Sequence, residues 1–135
     1  MKAIFVAGTD TGVGKTIITG CLGRHLAQKG YSVVTQKWIQ TGCNSKLSQD
    51  IKSHLKMMHC STSRLMKYFS HISPYKFKQA CSAHLASRIE NKSINKNKII
   101  KSFRFLCERF DFVIVEGMGG LLVPFNKKNL LIDIV

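Results

Sequence analysis

Acidic side chains are scarce in this chain of 135 residues: seven Asp and Glu stand against 21 Lys and Arg, a formal net charge of +14. Long apolar runs are missing too. None approaches the roughly eighteen residues that a membrane-spanning helix needs, and the apolar run at the N-terminus reaches Asp10 too soon to read as a signal peptide. A cytoplasmic chain with no membrane partner is the simplest expectation. The cysteines Cys21, Cys43, Cys60, Cys81 and Cys107 are scattered, odd in number and never spaced Cys-x-x-Cys, which argues against a disulfide framework or a zinc knuckle. His54, His59 and Cys60 lie close together, but no second ligand pair follows at a usual spacing, so they read as surface or packing residues.

The positive charge is uneven. Between Ile51 and Phe110 there are thirteen Lys or Arg against Glu90 and Glu108 alone. Such a face could neutralise nucleic-acid phosphates or draw in anionic substrates. With no interleaved aromatics and no helix-turn-helix or RNA-binding signature, nucleic acid is not the expected partner. The length suits a single domain over residues 1–135, large enough to bury about two thirds of its unfolded surface.

Against these absences stands the N-terminus. Ala3-Ile4-Phe5-Val6-Ala7 reads as a buried strand that breaks into Gly8-Thr9-Asp10-Thr11-Gly12-Val13-Gly14-Lys15-Thr16. A glycine-rich turn at a strand end faces its backbone N–H groups inward, and the helix that follows presents unpaired amides and its positive dipole end to an anion. Lys15 adds a mobile charge for the β/γ-phosphates, and the Thr16 hydroxyl is placed to ligate the Mg2+ that accompanies a nucleoside triphosphate. The usual pattern has glycine where Thr9 stands, with Gly8 here one step earlier, so the loop is a variant. Mg-ATP or Mg-GTP is the expected ligand.

Helical spacing of Ile17, Ile18, Cys21, Leu22 and Leu26 predicts a first helix ending near Gly30. Residues 31–39 read as a second strand that leaves Lys37 near its end. A short helix is expected around residues 49–58, a turn at Ser73-Pro74, and helices over 80–90 and 95–110. The last carries an apolar stripe of Ile99, Ile100, Phe103, Leu106, Cys107 and Phe110. Phe112-Val113-Ile114-Val115 is continuously apolar, as in a parallel strand covered on both faces, and ends at Glu116-Gly117-Met118-Gly119-Gly120. Strands and helices in this order predict an α/β, doubly wound, mostly parallel sheet of P-loop type, whose ligands bind beyond the carboxyl ends of the strands. Lys15, Lys37 and Glu116 converge there.

Three segments, Gly8 to Thr16, Lys37-Trp38-Ile39-Gln40-Thr41-Gly42 and Val115-Glu116-Gly117-Met118-Gly119-Gly120-Leu121-Leu122-Val123-Pro124, together resemble dethiobiotin synthetase. Weaker echoes at Pro74 to Lys78 and Ser82 to Ala86 follow in that family's order. The resemblance implies an ATP- and Mg2+-dependent cyclo-ligase of biotin synthesis, in which 7,8-diaminononanoate takes up CO2 or bicarbonate carbon as a carbamate. ATP phosphorylates the carbamate and the second amine closes the ring, releasing dethiobiotin, ADP and phosphate. By the same resemblance, Gly12, Val13, Gly14, Lys15, Thr16 and Ile17 would wrap the triphosphate, and Asp50, Glu116, Gly117, Met118 and Gly119 would complete the ATP site. Thr16, Asp50 and Glu116 would hold the metal, Lys37 would be the catalytic lysine, and Thr11 and Thr41 would meet the diamine or its carbamate. A homodimer is the implied assembly.

Departures are visible. Trp38 replaces the proline that usually follows the lysine, which predicts a looser backbone there, and Ala83 stands where a proline usually precedes the histidine. The chain ends at Ile132-Asp133-Ile134-Val135, where the family continues with a helix and further strands, so the fold is expected to be incomplete at that end, with an open sheet edge and weak or absent catalysis. Two other readings stay open: another P-loop ATPase, which would hydrolyse nucleotide without any diamine, and a non-catalytic basic nucleic-acid-binding fragment.

Overall fold

The computed structural model describes residues 2–124, 126 and 129–135. Strand β1 (Lys2–Val6) leads through the glycine-rich loop into helix α1 (Lys15–Gln28), then β2 (Val33–Gln36) and a short β3 (Ile39–Gln40). Helices α2 (Gln49–Met57), α3 (Thr62–Leu65) and α4 (Phe69–Ile72), strand β4 (Tyr75–Lys76) and helices α5 (Ala83–Ile89) and α6 (Lys96–Cys107) precede β5 (Phe112–Glu116). The main sheet is wholly parallel in the order β1-β5-β2, and β3 and β4 form a small second parallel pair.

The apolar run of β5 explains its central place. All five of its residues are buried, because its alternate side chains serve two cores. Phe112 and Ile114 pack with Val33, Leu22 and Leu26 on the α1 side, whereas Val113 and Val115 join Val34, Ile72, Ile99 and Leu106 on the α4 and α6 side. This is the doubly wound α/β arrangement that the order of apolar segments predicts. The stripe on α6 is core, with Ile99, Leu106 and Cys107 buried.

Three expectations are corrected. β1 is not a buried strand: it lies at the sheet edge, with Lys2 and Ala3 exposed and the rest half-buried. The strand expected over residues 31–39 breaks after Gln36, and Lys37 and Trp38 form a bend before β3. Nor does Trp38 loosen that bend. Its indole is 6% exposed, lies between Phe5 and Phe103 at ring-centroid distances of 5.4 and 6.4 Å, and donates Nε1–H to Gln36 Oε1 at 2.9 Å. Where a proline would fix the backbone dihedral, a buried aromatic pins the same residue by packing.

Helix α2 is brought to the site by two glycines. Gly20 and Gly23 are buried on α1, where an added Cβ would fall 2.3 Å from Met57 Cε and 2.7 Å from Met58 Sδ. With glycine at both positions the Met57 and Met58 side chains lie directly against the α1 backbone. Ser48 caps α2, its Oγ accepting from Ile51 N at 3.3 Å, and fixes where the helix carrying Asp50 begins.

Candidate active site

Parallel pairing sets three chain segments level at one rim of the sheet. In the β1–β5 register Val6 faces Glu116, and in the β2–β5 register Gln36 faces Val115, so Lys37, the next residue of its strand, emerges beside Glu116. The glycine-rich loop begins two residues beyond Val6. Backbone bonds then steady the bend, Lys37 N donating to Ile72 O at 2.9 Å and Tyr75 N to Trp38 O at 3.2 Å.

Gly12 and Gly14 adopt φ of 74° and 99°, the left-handed region that glycine enters without a steric penalty. Gly14 is the N-cap of α1, which has no side-chain cap and no acid in its first turn, so the helix end offers its amides and dipole to an anion. Lys15 is buried and donates Nζ–H to Asp10 O, folding over its own loop. Gly8 has the space-making role in this variant loop: a Cβ there would fall 2.8 Å from Val13 Cγ2 and 3.1 Å from Lys15 Cδ. The glycines after Glu116 also serve close packing. A Cβ on Gly117 would press on the Phe5 ring at 3.1 Å, and one on Gly120 would reach Thr9 O at 2.7 Å.

Charged groups meet at the rim. Lys37 Nζ donates to Asp50 Oδ2 and lies 2.9 Å from Glu116 Oε1, and the same Oε1 accepts from Thr16 Oγ1 at 3.0 Å. On the other side His54 Nε2 approaches Glu116 Oε2 to 2.7 Å, although its N–H is not aligned along that line. Burial pushes the Glu116 carboxyl upward, but His54 and Lys37 outweigh it and bring the group from 4.5 down to about 2. Glu116 is therefore an anion at neutral pH, held among cationic and N–H groups.

A cavity of about 720 Å³ opens over this cluster. Of the residues singled out in the sequence, Thr11, Gly12, Gly14, Lys15, Thr16, Lys37, Thr41, Asp50, Glu116, Met118 and Gly119 line it. Val13, Ile17 and Gly117 do not. Val13 and Ile17 point outward, at 52% and 58% exposure, and Gly117 is buried against β1. None of the thirteen basic residues of the central region lines the cavity; among them Lys98 lies over Tyr75 and Arg109 over Phe105, at 4.5 and 3.6 Å from the ring centroids.

One residue of the cluster escaped the sequence reading. Of the surface and packing roles expected, His54 has the packing one, fully buried, and it also lies against Glu116, a contact not expected from the sequence, whereas His59 is exposed and Cys60 only half-buried. Its proximity to His59 and Cys60 along the chain was the misleading signal. The informative one was its i+4 spacing from Asp50 on a helix, which puts both side chains on one face. No group of three or more His, Cys, Asp or Glu side chains among the described residues is disposed to hold a metal by itself.

The whole described chain has relatives. A family model described as an AAA domain matches residues 2–135. The chain is 41% identical over 132 residues to a Pasteurella multocida protein named ATP-dependent dethiobiotin synthetase BioD 2, across 98% of this chain and 61% of the relative. Proteins of the same name from Haemophilus ducreyi and Haemophilus influenzae are 42% and 40% identical over 99% of this chain, which spans 63% and 69% of their lengths. The chain thus spans about three fifths to two thirds of the length of these relatives. With the glycine loop, the lysine bend and the Glu116 glycine run all gathered at one rim, and with this identity along the chain, the protein belongs to the dethiobiotin synthetase family.

Proposed function

We propose that this cavity binds ATP and the carbamate of 7,8-diaminononanoate and carries out an ATP-dependent ring closure to dethiobiotin. The observation that carries the reading is the Lys37 ammonium, bound to Asp50 and Glu116 within the cavity that Lys15 and Thr16 also line. The carbamate forms when one amine of the diamine adds to CO2 and loses a proton. A carbamate oxygen then attacks the γ-phosphorus as ADP leaves, and the second amine attacks the carbamoyl carbon, forming the cyclic urea and releasing phosphate.

The protein's task in such a sequence is to hold two anions in line and neutralise the charge that spreads over the transferring phosphoryl group. Residues 12–17 would cradle the triphosphate through backbone N–H groups and the α1 terminus, with Lys15 turning from Asp10 O to the β/γ-oxygens. Lys37 would stabilise the carbamate and then the mixed anhydride, and Thr11 and Thr41 would meet the diamine portion. Met118 and Gly119 would border the nucleotide, beside Gly117.

The oxygen donors fit a hard divalent cation: the carboxylates of Asp50 and Glu116 hold the Lys37 ammonium and Thr16 Oγ1 is bonded to Glu116 Oε1, so the locus is already built to hold positive charge. When bound there, Mg2+ supplies charge neutralisation of the phosphate oxygens. A homodimer in the cytoplasm is the assembly and location this reading implies.

Incubation with ATP, Mg2+, bicarbonate and diaminononanoate, followed by mass detection of dethiobiotin, tests the reading and whether these 135 residues suffice. Lys37→Ala is expected to lower product formation by about 10²–10³-fold, the scale of removing one preorganised transition-state donor. Parental rates in that variant would remove Lys37 from its role.

A further inference from the structure

His54 sits behind the cluster rather than in it. It is 0% exposed and does not line the cavity, and among the described residues neither of its ring nitrogens makes an aligned hydrogen bond, nor does Glu116 Oε2. Buried ring nitrogens left without an aligned partner are unfavourable compared with an apolar side chain filling the same space. Packing alone therefore favours leucine or methionine at this position. What histidine adds is the 2.7 Å approach of Nε2 to Glu116 Oε2.

The two oxygens of Glu116 are divided between its two sides. Oε2 faces His54, while Oε1 faces Lys37 Nζ at 2.9 Å and Thr16 Oγ1 at 3.0 Å. A carboxylate turns about its terminal bond, so restraint of one oxygen sets the direction of the other. His54 is itself fixed by α2, one turn beyond Asp50, and α2 is seated on α1 through Gly20 and Gly23.

We propose that His54 is the positioning residue of Glu116, restraining Oε2 so that Oε1 is presented to Thr16, Lys37 and the metal–phosphate side of the cavity. The inference rests on the reading of Glu116 as a carboxylate of an Mg-ATP site.

Two measurements on the full chain test it separately from that reading. Urea unfolding of the parent, His54→Leu, Glu116→Gln and the double variant reports the contact without any nucleotide. The midpoint shift caused by His54→Leu should fall to less than half its parental size in the Glu116→Gln background; an equal shift in both backgrounds overturns the proposal. Calorimetric titration with ATP, in EDTA and in Mg2+, then gives the gain in affinity that Mg2+ confers. That gain should drop about tenfold in His54→Leu, the scale on which residues supporting metal ligands act, and return to within about twofold of the parent in His54→Gln, which keeps an N–H donor. A folded His54→Leu with an undiminished gain also overturns it. If His54→Leu does not fold, His54→Met takes its place; folding of the glutamine variant alone supports the contact, because a packing role favours the apolar side chains. A parent that gains nothing from Mg2+ refutes the nucleotide reading, and the unfolding cycle still decides the role of His54.

Discussion

At the scale of single residues, the bend after β2 shows how a substitution for proline can be absorbed. Trp38 is the sole tryptophan and is held by two aromatic rings and Gln36. Its emission should be that of a buried indole, blue-shifted in the folded protein and red-shifted on unfolding. Trp38→Ala should cost about 3–5 kcal/mol in urea unfolding, as large-to-small changes of buried aromatics do. Gly14 makes a different demand. A Cβ there meets no atom within 4 Å, so the constraint is the φ of 99° and not space. Gly14→Ala should lower stability by about 1–2 kcal/mol, the cost of a left-handed backbone for an L side chain, and weaken ATP binding in the same titration. Lys15, Lys37 and Glu116 were legible in the sequence because Lys15 closes the glycine-rich loop, Lys37 lies near the end of an expected strand, and Glu116 follows an apolar run and precedes glycine. His54 was not, since nothing local to a buried histidine says which distant carboxylate it will meet.

At the scale of elements, the contact between α1 and α2 governs the site. Both helices are expected from the sequence, but their close approach involves Gly20 and Gly23, whose lack of a side chain carries no periodic signal. On α1 the apolar Ile17, Ile18 and Cys21 are exposed while Gly20 and Gly23 are buried. Gly20→Val would drive its Cβ into Met57 and lever α2 away, displacing Asp50 from Lys37. Overpacking of this kind costs about 1–3 kcal/mol, and unfolding curves should show it. A weakened Mg-ATP affinity alongside should separate displacement of α2 from a purely local clash, which would leave the affinity unchanged. β1 teaches a related lesson. An apolar strand can lie at a sheet edge or at its centre with the same composition, and its half-exposed state follows from pairing with β5 alone among the described strands.

For the molecule as a whole, charge sets the response to acid. Glu116 is held near 2 against an ordinary value of 4.5, so it binds fewer protons folded than unfolded at moderately acid pH. Its stabilising contribution is complete above about pH 4.5 and is lost as pH falls through 2. Chemical denaturation from pH 5 to pH 2 should show stability falling, with a shallower fall in Glu116→Gln; identical slopes would mean that the carboxyl titrates normally. The net charge of +14 adds self-repulsion that acid increases as the other carboxylates are protonated.

The sequence by itself determined the types of β1, α1, β2, α2, α5, α6 and β5, the doubly wound parallel arrangement and the three segments that meet at the rim, whereas α3, α4 and the small β3–β4 pair came only with the tertiary structure. These follow from local physics: apolar periodicity, glycine at strand ends, and the right of a helix N-terminus to an anion. Tertiary structure alone decided that β1 lies at the edge, that Trp38 pins its bend, and that His54 stands behind Glu116. Each of those depends on contacts between residues far apart in the chain, where burial and distance are products of packing and leave no periodic trace in the order of the amino acids.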